Sequence, residues 1–230
     1  WWSLGVVVVI ILGAYFVGAI PTSYLVGRYV KGIDIRKYGS GNVGSSNTMQ
    51  HVGKWAGIFV WVFDLLAKGA FPVVVSGLLG QSVAVQAAGA LAVVFGHNWS
   101  PYLRFTGGRG IAPTIGILVA FFMWQEILVG VIVIGVVGKQ VTRDTALCTL
   151  VVVLTLPVQA YLFNQTLALV YMSVGITLLL VIKRFTANWE SLADNKHSLF
   201  RVLVYRLFWD RDVSPRELWT DRRPSMNGQK

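Results

Sequence analysis

Three short polar segments carry the residues of this chain that could do chemistry. The first is Gly39-Ser40-Gly41-Asn42-Val43-Gly44-Ser45-Ser46-Asn47, where glycines free the backbone and Ser and Asn supply neutral hydrogen-bond partners. Taken alone, such a run is either a phosphate-binding loop or an ordinary solvated turn. The second segment decides between them. It runs Gly96-His97-Asn98-Trp99-Ser100-Pro101-Tyr102-Leu103-Arg104-Phe105-Thr106-Gly107-Gly108-Arg109-Gly110 and ends directly before an apolar stretch. A glycine-rich entry to a helix offers backbone N–H groups to an anion, and the planar guanidinium of Arg109 can hold two phosphate oxygens. The segment lacks the Lys followed by Ser or Thr that a nucleotide-binding P-loop requires, so a nucleotide is not implied. No Gly-x-Ser-x-Gly elbow is present, which makes Ser40, Ser45 and Ser46 ligands rather than nucleophiles. His97 is open to two readings: it polarises a substrate, or it is hydrogen-bonded to the loop backbone. No His/Cys/Asp/Glu set has metal-site spacing, and no cofactor is implied. The third segment, Lys183-Arg184-Phe185-Thr186-Ala187-Asn188, reads on its own as a basic anchor closing an apolar helix.

The elements that must hold these segments are apolar. With 55% hydrophobic and 13% charged residues in 230, the chain carries more apolar surface than one water-soluble core needs, which predicts an all-α integral membrane protein. The formal charge of +10 sits in short segments between apolar runs and in the tail, a pattern that suits anionic headgroups or phosphorylated substrates and not nucleic acid. The single cysteine, Cys148, lies in an apolar run and reads as a core residue.

Runs of spanning length cover Leu4 to Val30 and Trp55 to Leu79, followed by Ser82 to Gly96, Ile111 to Gly138, Ala146 to Phe163 and Leu167 to Ile182. The first has no basic flank at its start and is as long as a full span, so it is read as a retained transmembrane helix. The run from Ile111 is either one tilted span or a hairpin turning at Trp124-Gln125-Glu126. The hairpin places Lys31, Arg36, Lys37, Lys54, Arg104, Arg109, Lys139, Arg143, Lys183 and Arg184 on one side and leaves the opposite connections without Lys or Arg. Seven spans follow, with the N-terminus outside and the C-terminus cytoplasmic. Asp64 and Lys68, four apart within a span, are expected to pair, either as a structural tie or in support of a site. Residues 1–190 form the transmembrane unit and 191–230 a basic tail. In the tail Leu199, Phe200, Leu203, Leu207 and Phe208 recur at helical spacing, which predicts an amphipathic helix on the cytoplasmic membrane surface, with the chain extended or disordered from Asp210 onward.

The three segments, in this order, resemble the bacterial membrane-bound acyl-phosphate:glycerol-3-phosphate acyltransferases over roughly Gly13 to Asn188. Gly39 to Asn47 is similar to that family's Gly-Ser-Gly-Asn-x-Gly-x-Thr-Asn motif, with Ser46 at the Thr position and a similar Asp34-Ile35-Arg36-Lys37 before it. Gly96 to Gly110 is similar to its Gly-His…Phe-x-Gly-Gly-Lys-Gly motif, with Arg109 at the Lys position. The resemblance implies a multi-pass protein of a bacterial cytoplasmic membrane, with its site facing the cytoplasm. Its implied reaction is acyl transfer from acyl phosphate to the 1-hydroxyl of glycerol 3-phosphate, giving lysophosphatidic acid, with the bilayer as partner. It implies Ser40, Arg109 and Asn188 as catalytic residues, and Gly39, Gly41, Asn42, Gly44, Ser46, Asn47, His97, Gly107, Gly108 and Gly110 as substrate-binding ones. The chain departs from the family pattern at Gln50 (Arg there), Pro113 (Thr), Ala146 (Ser) and Phe185 (His). Those departures leave two alternatives open: an inactive or altered paralogue that binds phospholipid precursors, and a small membrane transporter suggested by the charges within a span.

Overall fold

Apolar sequence of this length must satisfy its backbone internally, and helices are the way a single segment does so in lipid. A computed structural model describes residues 4–142, 144–186, 199–212 and 221–223. Among these the regular structure is helical and contains no strand, only an isolated bridge between Ser100 and Thr106. The first span is two helices, α1 (Leu4–Ala19) and α2 (Thr22–Lys31), broken where Pro21 lacks an N–H. Gly32, in the left-handed region, ends α2. A short α3 (Ser45–His51) follows the first polar segment. Helix α4 (Lys54–Leu78) crosses next and widens to π geometry over Asp64–Ala70, just before Pro72. Then come α5 (Val83–Asn98), α6 (Ile111–Ala120), α7 (Trp124–Val141), α8 (Thr145–Leu162) and α9 (Leu167–Phe185), with α10 (Leu199–Trp209) in the tail.

Among the described residues, five helical segments are long and apolar enough to cross a membrane, and α5 and α6 are shorter apolar helices. The expected break in the Ile111 run is present. Helix α6 ends at Ala120, Phe122 takes a φ of 57°, and α7 starts at Trp124. The two halves then line one cavity together, Ile111, Thr114 and Leu118 from α6 with Ile127, Val131 and Ile134 from α7.

Lipid offers no hydrophobic reward for helix association, so close packing at small residues must supply it. Gly18 of α1 lies against the Val93 backbone of α5, and Gly96 of α5 lies against the Tyr15 backbone of α1. Gly69 of α4 faces the Pro113 carbonyl of α6, and Gly116 of α6 faces the Leu65 carbonyl of α4. Between these pairs sits an apolar core that includes Val93, Ile117, Met172 and Ile176. Leu4, Val9, Trp55, Phe71, Leu128, Leu154 and Leu178 remain exposed on the outer faces, where lipid would cover them. A smaller cluster of Ile35, Val43, Val52 and Leu103 underlies the first polar segment.

The tail helix forms where the helical spacing places it, and it is also tied to the bundle. Helix α10 docks on α8 and α9, burying Val202 and Arg206, while Leu199 and Phe200 stay exposed. Arg206 is the reason. Its guanidinium donates to the Phe185 carbonyl at the end of α9 and pairs with Asp212 at 2.6 and 3.0 Å. Arg184 donates in return to the Leu207 carbonyl.

Candidate active site

The first loop is shaped from within. Gly39 and Gly41 take φ of 51° and 66°, which side-chain-bearing residues adopt only with strain. Asn47 is buried and donates through Nδ2 to the carbonyls of Ile35, Tyr38 and Asn42, at 3.0 to 3.2 Å, holding three turns of the loop together. Ser40 Oγ accepts the Asn42 N–H, and Thr48 ties the following helix to Gly44 and to Ser23. Ahead of the loop, Asp34 accepts the Arg36 N–H and pairs with its guanidinium at 2.7 Å. Partial burial pushes the Asp34 carboxyl up, but the hydrogen bonds and charge of Arg36 outweigh it and hold it below its ordinary value.

The second loop turns back on the end of α5. The Gly108 N–H donates to the His97 carbonyl at 3.0 Å, and a Cβ at Gly108 would strike the His97 imidazole. Arg109 follows, with its side chain only 12% exposed. Its guanidinium donates to the Lys183 carbonyl at 3.1 Å and pairs with Asp210 at 3.0 Å.

Both loops open onto one cavity of about 550 Å³, lined by Ser40, Asn42, Gly44, Ser45, Ser46 and Asn47 from the first and by His97, Arg109 and Gly110 from the second. Arg184 and Lys139 add positive charge to the wall, and Asp64 and Asp210 add carboxylates. A second, mostly apolar chamber of about 550 Å³ lies between α4, α6, α7 and α8. The two share Trp61, Ile111, Ile134, Lys139, Thr149, Val153 and Leu180, so the polar cavity continues into an apolar slot between helices. A phosphorylated head joined to a hydrocarbon tail fits that division.

Residues 8–195 match the family model described as glycerol-3-phosphate acyltransferase. Glycerol-3-phosphate acyltransferase 5 of Dehalococcoides mccartyi is 36% identical over 94% of this chain and 94% of its own length. This chain belongs to the glycerol-3-phosphate acyltransferase family. A member from Halalkalibacterium halodurans is 34% identical over 74% of this chain and 84% of its own. The fold is also that of a solved integral membrane glycerol 3-phosphate acyltransferase, PlsY, in its glycerol 3-phosphate form. That match has a TM-score of 0.68 at 24% identity and covers 78% of this chain and 88% of that one.

Within this acyltransferase-family fold, most residues singled out from sequence meet at the cavity, but not all. Gly39 and Gly41 shape the loop without lining it, and Gly107 and Gly108 sit behind His97, against a small cavity that Lys68 also borders. Asn188 lies outside the described residues. The Asp64–Lys68 pair forms at 2.6 Å with both side chains nearly closed to water, and Asp64 forms part of the cavity wall. Gln50 does not line the cavity; its amide donates to Asp221 at 3.2 Å. Ala146 does line it, and its carbonyl accepts from Arg184 at 2.8 Å. Sequence reasoning treated Lys139 only as a marker of topology and passed over Trp61, Thr149 and Asp210. Asp210 carried no distinct signal, since it is one of five acidic residues in the tail from 191 to 230.

Proposed function

We propose that the chain transfers a fatty acyl group from acyl phosphate to the 1-hydroxyl of glycerol 3-phosphate, giving lysophosphatidic acid and inorganic phosphate. Family membership supports an acyltransferase acting on glycerol 3-phosphate. The observation that carries the reading to this chain's own residues is Arg109, a cavity-wall cation at the entry to α6, beside the passage from polar cavity to apolar slot. Acyl phosphate is already activated, so the protein need not form a covalent intermediate. The glycerol hydroxyl oxygen attacks the acyl carbonyl carbon, the bond from that carbon to the phosphate oxygen breaks, and the phosphate leaves with the electron pair and accepts the hydroxyl proton. The protein's part is to bring two phosphorylated molecules together and to stabilise charge on the carbonyl oxygen.

In this reading Arg109 holds a phosphate, with Lys139 and Arg184 adding field, and Ser40 and Asn188 contact the reacting groups. Asn42, Gly44, Ser46, Asn47, His97 and Gly110 line the binding space, and Gly39, Gly41, Gly107 and Gly108 shape it. The acyl tail lies in the apolar slot. We place seven crossings in a bacterial cytoplasmic membrane, the N-terminus outside and the site facing the cytoplasm, supported by the one-sided distribution of Lys and Arg. Residues 1–190 are the catalytic unit and 191–230 its appendage. The test is phosphate release by purified protein given both substrates, with a sharp loss in Arg109→Ala. No release above a heat-inactivated control would overturn the proposal.

A further inference from the structure

The apolar chamber has one feature that an acyl slot does not need. Glu126, at the start of α7, is 1% exposed and lines the chamber. Its Oε1 accepts from the Gln165 amide at 3.1 Å, while Oε2 is buried without a hydrogen-bond partner. Around it the chamber is hydrocarbon, from Leu118, Ile127, Val131 and Leu156. Glu126 follows the turn at the far end of α6, whose ten residues put it about 15 Å along the slot from Gly110 at 1.5 Å per residue.

We propose that Glu126 is a specificity-determining residue that sets the upper length of the acyl chain by giving the slot a polar floor. The proposal rests on the acyltransferase reading above. A chain that stops short of the floor leaves the Glu126 carboxylate as it stands. One that reaches it presses a methyl group against a carboxylate oxygen with no partner, and a buried polar group in that state is costly.

The experiment measures kcat/KM for dodecanoyl, tetradecanoyl, hexadecanoyl and octadecanoyl phosphates with glycerol 3-phosphate. The unaltered protein is expected to lose at least about tenfold, or 1.4 kcal/mol, somewhere along this series. Glu126→Leu, close in size but apolar, is expected to recover most of that loss for the longest donors and leave the shortest unchanged. Glu126→Gln keeps a polar floor and is expected to retain the original profile. Gln165→Leu removes the amide tie but keeps the carboxyl, and it too is expected to retain the profile. A flat profile in the unaltered protein overturns the proposal without recourse to any variant. So does an unchanged profile in a folded Glu126→Leu protein, or an equal shift in Gln165→Leu, which would assign the effect to the tie. Turnover of no donor at any length would instead sink the acyltransferase reading on which the proposal stands.

Discussion

Asp210 stands where an anionic substrate would compete with it, and its removal is expected to tighten substrate binding. Its carboxylate lies 3.0 Å from the Arg109 guanidinium, on the wall of the polar cavity. A phosphate that takes over this guanidinium must displace that carboxylate. The side chains are 12% and 28% exposed, so the pair belongs with partly solvated ion pairs, worth about 0.2 to 1 kcal/mol. Asp210→Asn keeps the shape and removes the charge. Arg109 stays in place because its other contact, to the Lys183 carbonyl, is untouched, and α10 stays docked through Arg206 and Asp212. At low salt the KM for acyl phosphate should fall by up to about fivefold, the equivalent of 1 kcal/mol, with kcat little changed. The gain should shrink as ionic strength rises, because the competing pair is itself screened. Inhibition by inorganic phosphate should strengthen in parallel. A KM that stays constant or rises at low salt would refute the idea that Asp210 competes for Arg109.

Arg109→Ala should lower kcat/KM by about 10- to 150-fold, since a hydrogen bond to a charged group contributes about 1.5 to 3 kcal/mol. Arg109→Lys should retain more activity, because the charge survives and only the forked geometry is lost; the same phosphate-release assay checks both. Gly107→Ala should lower the unfolding midpoint in detergent, because its Cβ meets the carbonyl backbone of His97 and Asn98, an overpacking cost of about 1 to 3 kcal/mol. Gly108→Ala should cost activity as well as stability, since its Cβ meets the buried His97 ring on the cavity wall. Asp34→Asn should loosen the first loop, read as faster amide hydrogen exchange over residues 35–47. The carboxyl is depressed by Arg36, so its contribution is fully present above the unfolded carboxylate value of about 3.9 and is lost as pH falls through the lower folded value. The same substitution, by removing the titrating carboxyl, should therefore remove the acid dependence of the loop's protection relative to the intrinsic exchange rate.

Much of the bundle was legible because lipid imposes simple demands. Apolar runs long enough to span became helices, and the polar triplet Trp124-Gln125-Glu126 marked the break between α6 and α7 to within a few residues. The two loops were legible for another reason: glycine where the backbone must bend or approach closely, and an Arg that reaches the cavity wall. What sequence did not show depends on contacts between distant residues. The π segment at Asp64–Ala70 has no local signature beyond the following Pro72. Asn47 reads as a ligand by type, yet its amide is occupied with three backbone carbonyls. The docking of α10 turns on Arg206, which in a helical wheel looks like one more basic residue on a membrane-facing helix. Glu126 was visible only as part of a polar turn, because its burial is created by α8 and the α8–α9 connection packing over it.

The first loop also receives a contact from the far end of the chain: the Gly39 N–H donates to the Arg222 carbonyl, and Gln50 reaches Asp221 across 171 residues of sequence. Proteins are made from the N-terminus at a finite rate, and their parts settle in the order they emerge. The Gly39 to Asn47 loop leaves the ribosome well before the residues that seat on it. Insertion of the helices therefore precedes completion of the loop's surroundings, and a nascent chain stalled before Asp210 would hold its long apolar helices around a polar cavity with one wall still missing.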